Sequence, residues 1–263
     1  RSGQLTALLA STPLKVSADN QFVLAQYSKA AATAGRALEV LIECDTGQKR
    51  AGVEKVSEAL ELIRLIMEDK WLSFSGLLFY PPIDGWADSQ TFLDEIKPRL
   101  STQGISFKII STGGTPNFAN IGKLKGATEH RAGTCIFNDR MMIKAGYAKL
   151  EDCALNIFSS VVSRGGENRG ILDAGSKTFT SDTGGLDDYG FVLEHPEARI
   201  HKFAEEHGFL DLSKCKQKPV VGDIVRVIPN HACVTINMFD QVIGVRHNEI
   251  SEKIQITARG MLV

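Results

Sequence analysis

Between Leu14 and Thr134 short apolar runs alternate with segments of helical spacing, and this alternation limits the fold more than any other feature of the chain. Leu14–Ala18, Leu38–Asp45, Leu72–Tyr80 and Phe107–Ser111 are predicted strands, whereas Gln21–Ala34, Lys55–Met67 and Ser89–Leu100 place apolar side chains along one helical face. A further helical segment, Gly3 to Leu9, precedes them. Strands alternating with helices assemble into a parallel sheet through right-handed crossovers, either as a barrel or as a doubly wound sheet. In both architectures functional groups sit on the loops after the carboxyl ends of strands. Those loops carry Thr46-Gly-Gln-Lys-Arg50, Tyr80-Pro-Pro82 and Thr112-Gly-Gly-Thr115.

The stretch Phe107–Asn138 holds two Gly-Thr turns, each after a strand-like run: Gly114-Thr115 and Gly133-Thr134. Glycine lets the backbone turn tightly and leaves amide N–H groups bare at the head of the next helix, where the helix dipole and a threonine hydroxyl favour an anion such as phosphate. Each turn taken alone also fits an ordinary loop.

From about Leu150 short β-rich runs replace the helical patterns: Ala154–Ser163, Arg169–Ala174, Ile224–Ile228, Val234–Met238, Gln241–Val245 and Lys253–Arg259. The turns between them are Gly-rich or polar, as in an antiparallel barrel or sandwich. Two domains follow, residues 1–149 and residues 150–263. A net charge of −1 supplies no field for nucleic acid or an anionic membrane and points to a small-molecule partner. No apolar run reaches the roughly 18 residues of a membrane helix. The five cysteines are scattered and odd in number, which fits reduced thiols in a cytoplasm.

Within Val227–Ile236, His231 and Cys233 stand two residues apart; on a strand they share a face, and imidazole plus thiolate is a donor pair for zinc. A His-X-Cys is also compatible with a purely structural role.

Six segments occur in order along the chain: IECDTGQKRAGV (Ile42–Val53), STGGTPNF (Ser111–Phe118), TEHRAGTCIFND (Thr128–Asp139), LDAGSKTFTSD (Leu172–Asp182), EEHG (Glu205–Gly208) and VGDIVRVIPNHACVTIN (Val221–Asn237). Together they resemble the D-threonine aldolase and D-serine dehydratase group of pyridoxal phosphate enzymes. The resemblance implies an α/β fold, a partial (β/α)8 barrel of the alanine-racemase type followed by an antiparallel β-domain. It implies that Gly114, Thr115, Gly133 and Thr134 hold the cofactor phosphate, and that Arg131 faces the pyridine nitrogen. Arg50 would lie near the ring hydroxyl or, alternatively, make a surface salt bridge. By the same resemblance His231 and Cys233 become ligands of zinc or another divalent metal, and the chain pairs as a homodimer. The substrate implied is a D-amino acid with a β-hydroxyl, either dehydrated or cleaved to glycine and an aldehyde. Asp173 reads as structural, and Lys177 does not fit the lysine that carries the cofactor.

Three departures accompany the resemblance. Proteins of this type carry the cofactor lysine on the first barrel strand, and no such segment occurs here; the expectation is that it lies upstream of Arg1, together with the first strands. Cys135 stands where relatives often have tyrosine, and Phe79–Asp84 where they often have a Gly-His loop. Two other functions remain open at this point: an amino-acid racemase, for which the His231 and Cys233 pair has no use, and a non-catalytic cofactor- or metal-binding protein.

Overall fold

Asn20 starts the first long helix: its side chain accepts the Val23 N–H at 2.9 Å, and Gly35, in the left-handed conformation, ends it. The structure, a computed structural model, describes residues 2–83 and 85–261, so Arg1, Asp84, Leu262 and Val263 lie outside the described residues. The chain divides into two compact units, Arg1–Gly133 and Thr134–Val263.

In the first unit helix α1 (Ser2–Ser11) precedes β1 (Lys15–Ala18), α2 (Gln21–Ala34), β2 (Leu38–Cys44), α3 (Val56–Glu68), β3 (Leu72–Phe79), α4 (Trp86–Thr102), β4 (Ile109–Gly113) and β5 (Glu129–Arg131). The strands form one parallel sheet in the order β1-β2-β3-β4-β5. Sequential order of neighbours is what repeated right-handed crossovers produce when a sheet starts to curl into a barrel. Strand β2 is buried at Leu38, Val40, Leu41, Ile42 and Cys44, the near-continuous apolar pattern of a strand covered on both faces. Helix α3 buries Val56, Ala59, Leu62, Ile63 and Ile66 at three- and four-residue spacing; each large side chain contributes on the order of 1.5–3 kcal/mol. Between β4 and β5 lies a 3-10 helix, Thr115–Lys123.

The second unit opens with α5 (Arg140–Lys144), followed by β6 (Ile157–Gly165), β7 (Arg169–Leu172), α6 (Ser176–Phe179), β8 (Phe191–Val192), β9 (Arg199–Phe203), β10 (Gly208–Asp211), β11 (Ile224–Ile228), α7 (Ala232–Ile236), β12 (Gln241–Arg246) and β13 (Glu249–Gln255). Six strands pair antiparallel and close into a barrel in the order β10-β7-β6-β11-β8-β9, while β12 and β13 form a separate hairpin. The barrel is filled by side chains such as Val161, Leu172, Ile200, Leu210, Val225 and Val227. Among the described residues no helix is long and apolar enough to cross a membrane.

One expected strand is a helix. Residues 232–236 form α7, not part of a strand over Val234–Met238, although Val234, Thr235 and Ile236 are β-branched. The buried carboxylate of Asp139 accepts the Ala232 N–H at 2.8 Å and so satisfies the first turn of α7; this tertiary bond overrides strand propensity.

Candidate functional site

In the first unit the loops after β2, β3 and β4 carry the residues expected to hold a cofactor. Asp45, buried at the end of β2, organises the first loop: its carboxylate accepts the Gly47 N–H at 2.9 Å and the Arg50 N–H at 3.1 Å. Burial pushes this carboxyl upward, but backbone N–H groups of Lys49, Gly47, Arg50 and Gln48 win and hold it below the usual carboxylate range. The loop so fixed places the Arg50 guanidinium over the Tyr80 ring, 4.5 Å from its centre. Tyr80 in turn covers the Gly-Gly turn after β4. A side chain at Gly113 would meet Arg131 Nη2 at 2.6 Å, and one at Gly114 would meet Tyr80 Oη at 2.9 Å; only glycine leaves that space open, and Gly114 also has a φ of 99°.

The turn differs from a row of bare amides. The Gly114 N–H is bonded to the Arg131 carbonyl at 3.0 Å and the Asn117 N–H to the Gly114 carbonyl at 2.9 Å, while Pro116 has no N–H. Thr115, buried, brings the two Gly-containing turns together: its Oγ1 accepts the Gly133 N–H at 3.2 Å and keeps its own proton free to donate. Arg131 is half-buried; its guanidinium donates to Ser111 Oγ and, at 3.2 Å, to the Phe79 carbonyl. Burial lowers its pKa from the ordinary arginine value, with Glu129 and Glu43 opposing.

His130, adjacent to Arg131, supports the turn from behind. Its Nε2 lies 3.1 Å from the Gly114 carbonyl and its Nδ1 2.7 Å from Thr112 Oγ1. A carbonyl only accepts, so Nε2 carries the proton, and in the neutral ring Nδ1 then accepts from the threonine hydroxyl.

In the second unit His231 is the N-cap residue of α7 and Cys233 lies in its first turn, so their proximity comes from a helix start rather than from a shared strand face. Thr134, expected on the phosphate, has its hydroxyl 3.3 Å from Cys233 Sγ. A hydrogen bond from His231 lowers the Cys233 thiol, and the same bond to Cys233, helped by Asp182, raises His231 to about 9. Among the described residues no group of three His, Cys, Asp or Glu side chains is arranged to hold a metal.

The segment leading to His231 is clamped on all sides. Asn230, almost fully buried, donates to the Thr183 carbonyl at 3.0 Å and the Asp188 carbonyl at 2.5 Å, and accepts from Arg140 at 2.7 Å. Arg140 also pairs with Asp188. These bonds exhaust the amide's two donors and engage its acceptor, so Asn230 is a fixed post and not merely a turn residue. Asp139, Asn230 and Asp182 were the contributors that the sequence did not disclose; the signal was present only as polar residues inside the ordered segments, without partners attached. Asp173 accepts from Ser159 Oγ at 2.7 Å and from the Ser160 N–H at 2.8 Å, a purely internal pairing. Lys177 is exposed and paired with Glu205 and Glu206 at 2.9 and 2.8 Å, which raises its pKa and keeps it protonated, unlike an amine nucleophile.

Residues 2–141 match the family described as "Alanine racemase, N-terminal domain", and residues 154–245 match the "Putative serine dehydratase domain". A D-threonine aldolase of an Arthrobacter species is 27% identical over 266 residues, covering 94% of this chain and 68% of the relative. The D-serine dehydratase of Dictyostelium discoideum is 26% identical over 236 residues, covering 76% of this chain and 59% of the relative. The chain therefore spans about three fifths to two thirds of the length of these relatives, 59% and 68%. The crystal structure of D-threonine aldolase from Filomicrobium marinum superimposes on all of the chain and 75% of its own, with a TM-score of 0.89 and 25% identity. For D-threo-3-hydroxyaspartate dehydratase from Delftia sp. HT23 the TM-score is 0.79 at 25% identity, over 92% of this chain and 72% of that one.

Proposed function

Because this chain belongs to the alanine racemase N-terminal domain family and is related to D-threonine aldolase and D-serine dehydratase, we propose that it acts as a lyase on D-3-hydroxy amino acids, dependent on pyridoxal phosphate and zinc. In this reading residues 1–149 hold the cofactor, residues 150–263 hold the metal, and the protein works as a homodimer. The observation that carries the proposal is that His231, at the N-cap of α7, and Cys233, in its first turn, stand two residues apart at one helix start, an imidazole and a thiol of the kind that zinc takes and a racemase has no use for.

For the cofactor the loops described above offer hydroxyl and guanidinium donors; for the metal His231 and Cys233 offer two donors, with no group of three among the described residues. At the phosphate end, the space that a Cβ at Gly114 would fill lies beside the Tyr80 hydroxyl, and Thr115, next in the chain, accepts the Gly133 N–H and can donate its own proton. Bound pyridoxal phosphate supplies an electron sink for a bond breaking at the substrate's α-carbon. Thr115 would donate to that phosphate, and His130, by donating to the Gly114 carbonyl, fixes the turn. Arg131, held by Ser111 and Phe79, would keep a positive charge beside the pyridine nitrogen of a bound cofactor, where a proton on that nitrogen would face like charge. Arg50, fixed by the Asp45 loop and stacked on Tyr80, directs a cation towards the ring hydroxyl. A metal on His231 and Cys233 supplies Lewis acidity at the substrate's β-hydroxyl. Thr134, whose hydroxyl lies 3.3 Å from Cys233 Sγ, would donate to the thiolate and steady it as a ligand.

The test is incubation of the full-length protein with D-serine and D-threonine, with and without added zinc. Pyruvate and 2-oxobutyrate report dehydration; glycine and acetaldehyde report aldol cleavage. Release of neither pair, with appearance of the L-enantiomer instead, would replace the lyase reading with racemisation.

A further inference from the structure

Asp182 sits at the far end of a turn that is held under strain. Thr180, a buried β-branched residue, adopts φ 70° and ψ 172°, a region that such residues rarely occupy. Its Oγ1 accepts the Asp182 N–H at 3.1 Å, and Asp182 Oδ1 accepts the Gly184 N–H at 2.9 Å. The turn leaves the second carboxylate oxygen, Oδ2, 2.5 Å from His231 Nδ1.

An ionised carboxylate only accepts, so the proton in this contact belongs to Nδ1. With Nδ1 committed, Nε2 is the ring nitrogen left to bind a cation. Asp182 itself is not a third ligand, consistent with the absence of a three-residue cluster among the described residues. A site with only two protein ligands depends more than a closed one on how firmly each ligand is aimed.

Resting on the metal reading above, we infer that Asp182 is the positioning residue of the metal centre: it fixes the Nδ1–H tautomer and the ring orientation of His231, so that Nε2 and the Cys233 thiolate share one divalent cation. The strained turn at Thr180 aims the carboxylate, and the Asn230 clamp with the Asp139 cap holds the histidine's backbone opposite it. Orientation of the ring thus comes from one segment and placement of its backbone from another.

The experiment compares wild type, Asp182→Asn, Asp182→Ala and Cys233→Ala by zinc titration against a chromophoric chelator, and by nitrogen-15 spectra of the His231 ring in metal-free protein at alkaline pH, where the ring is neutral. Asp182→Ala is expected to weaken zinc binding by about 10- to 100-fold. Its His231 should also pass from the Nδ1–H form to a mixture of tautomers. Asp182→Asn retains an acceptor and should restore the tautomer and part of the affinity. The ring spectrum separates orientation from a general loss of structure, which circular dichroism of the same samples records. Zinc affinity in Asp182→Ala within about twofold of wild type, or an unchanged tautomer, overturns the role of Asp182. Zinc binding that is absent from wild type, or indifferent to Cys233→Ala, overturns the metal reading itself.

Discussion

The Arg50 guanidinium lies 4.5 Å above the centre of the Tyr80 ring, and the hydroxyl of that ring borders the Gly114 turn. One cation–π contact therefore links the loop after β2 to the turn after β4. Removing the cation with Arg50→Ala should weaken pyridoxal phosphate binding by about 0.5–1 kcal/mol, the scale of such a contact near the surface. Tyr80→Phe keeps the stack and should lose only the hydroxyl's part. A fluorescence titration of the cofactor distinguishes them; equal affinities for both variants and wild type would remove the stack from the site.

Thr115→Ala deletes both the free hydroxyl proton and the acceptor of the Gly133 N–H. Cofactor affinity should fall by about 1–3 kcal/mol, the scale of a hydrogen bond to a charged group. By contrast, His130→Leu leaves the Gly114 carbonyl without its donor and should act on the turn itself, seen as a lower thermal midpoint in cofactor-free protein. If Thr115→Ala binds the cofactor as wild type does, the phosphate is held elsewhere.

The Asp45 carboxylate makes stability fall in acid. Folding holds its pKa below the ordinary 3.8, so its contribution is present above that value and is lost as pH falls through the still lower folded value. Asp45→Asn should cost about 1–3 kcal/mol at neutral pH, with the gap to wild type narrowing below about pH 4. Urea unfolding at neutral and acid pH measures it; a gap constant with pH would assign the loss to something other than this carboxylate.

Thiol chemistry should be selective. Burial pushes Cys153 up to about 11, and burial also raises Cys44 and Cys215, whereas the His231 hydrogen bond lowers the exposed Cys233. Only the thiolate is nucleophilic, so iodoacetamide near neutral pH should label Cys233 well before the three buried cysteines. Added zinc should slow Cys233 and leave exposed Cys135 unaffected. Peptide mass mapping reads the order, and early labelling of Cys153 would contradict the burial described for it.

The parallel half was legible because its signals are local. The apolar runs at Leu38–Cys44 and Leu72–Phe79 and the helical face of Val56–Glu68 are written within single elements. Around His231 the residue types were legible and their setting was not. The run Val234-Thr235-Ile236 favours a strand by propensity, and what decides otherwise is a carboxylate at Asp139, distant in sequence. The Asp182 contact with His231 is likewise nonlocal. Periodicity reports the face that an element buries; it carries no information on which distant carboxylate arrives to cap it.

The two units also differ in how their backbones end. The barrel of the second unit closes on itself, so its six strands offer no open rim, whereas β1 in the first unit is hydrogen-bonded to β2 alone within the described sheet. An unpaired strand edge is a template on which another chain can pair, and a charge such as that of Lys15, at the start of β1, is a deterrent to it. Barrel amides should be among the slowest to exchange with solvent, which makes the second unit the safer place to attach a tag or graft a loop.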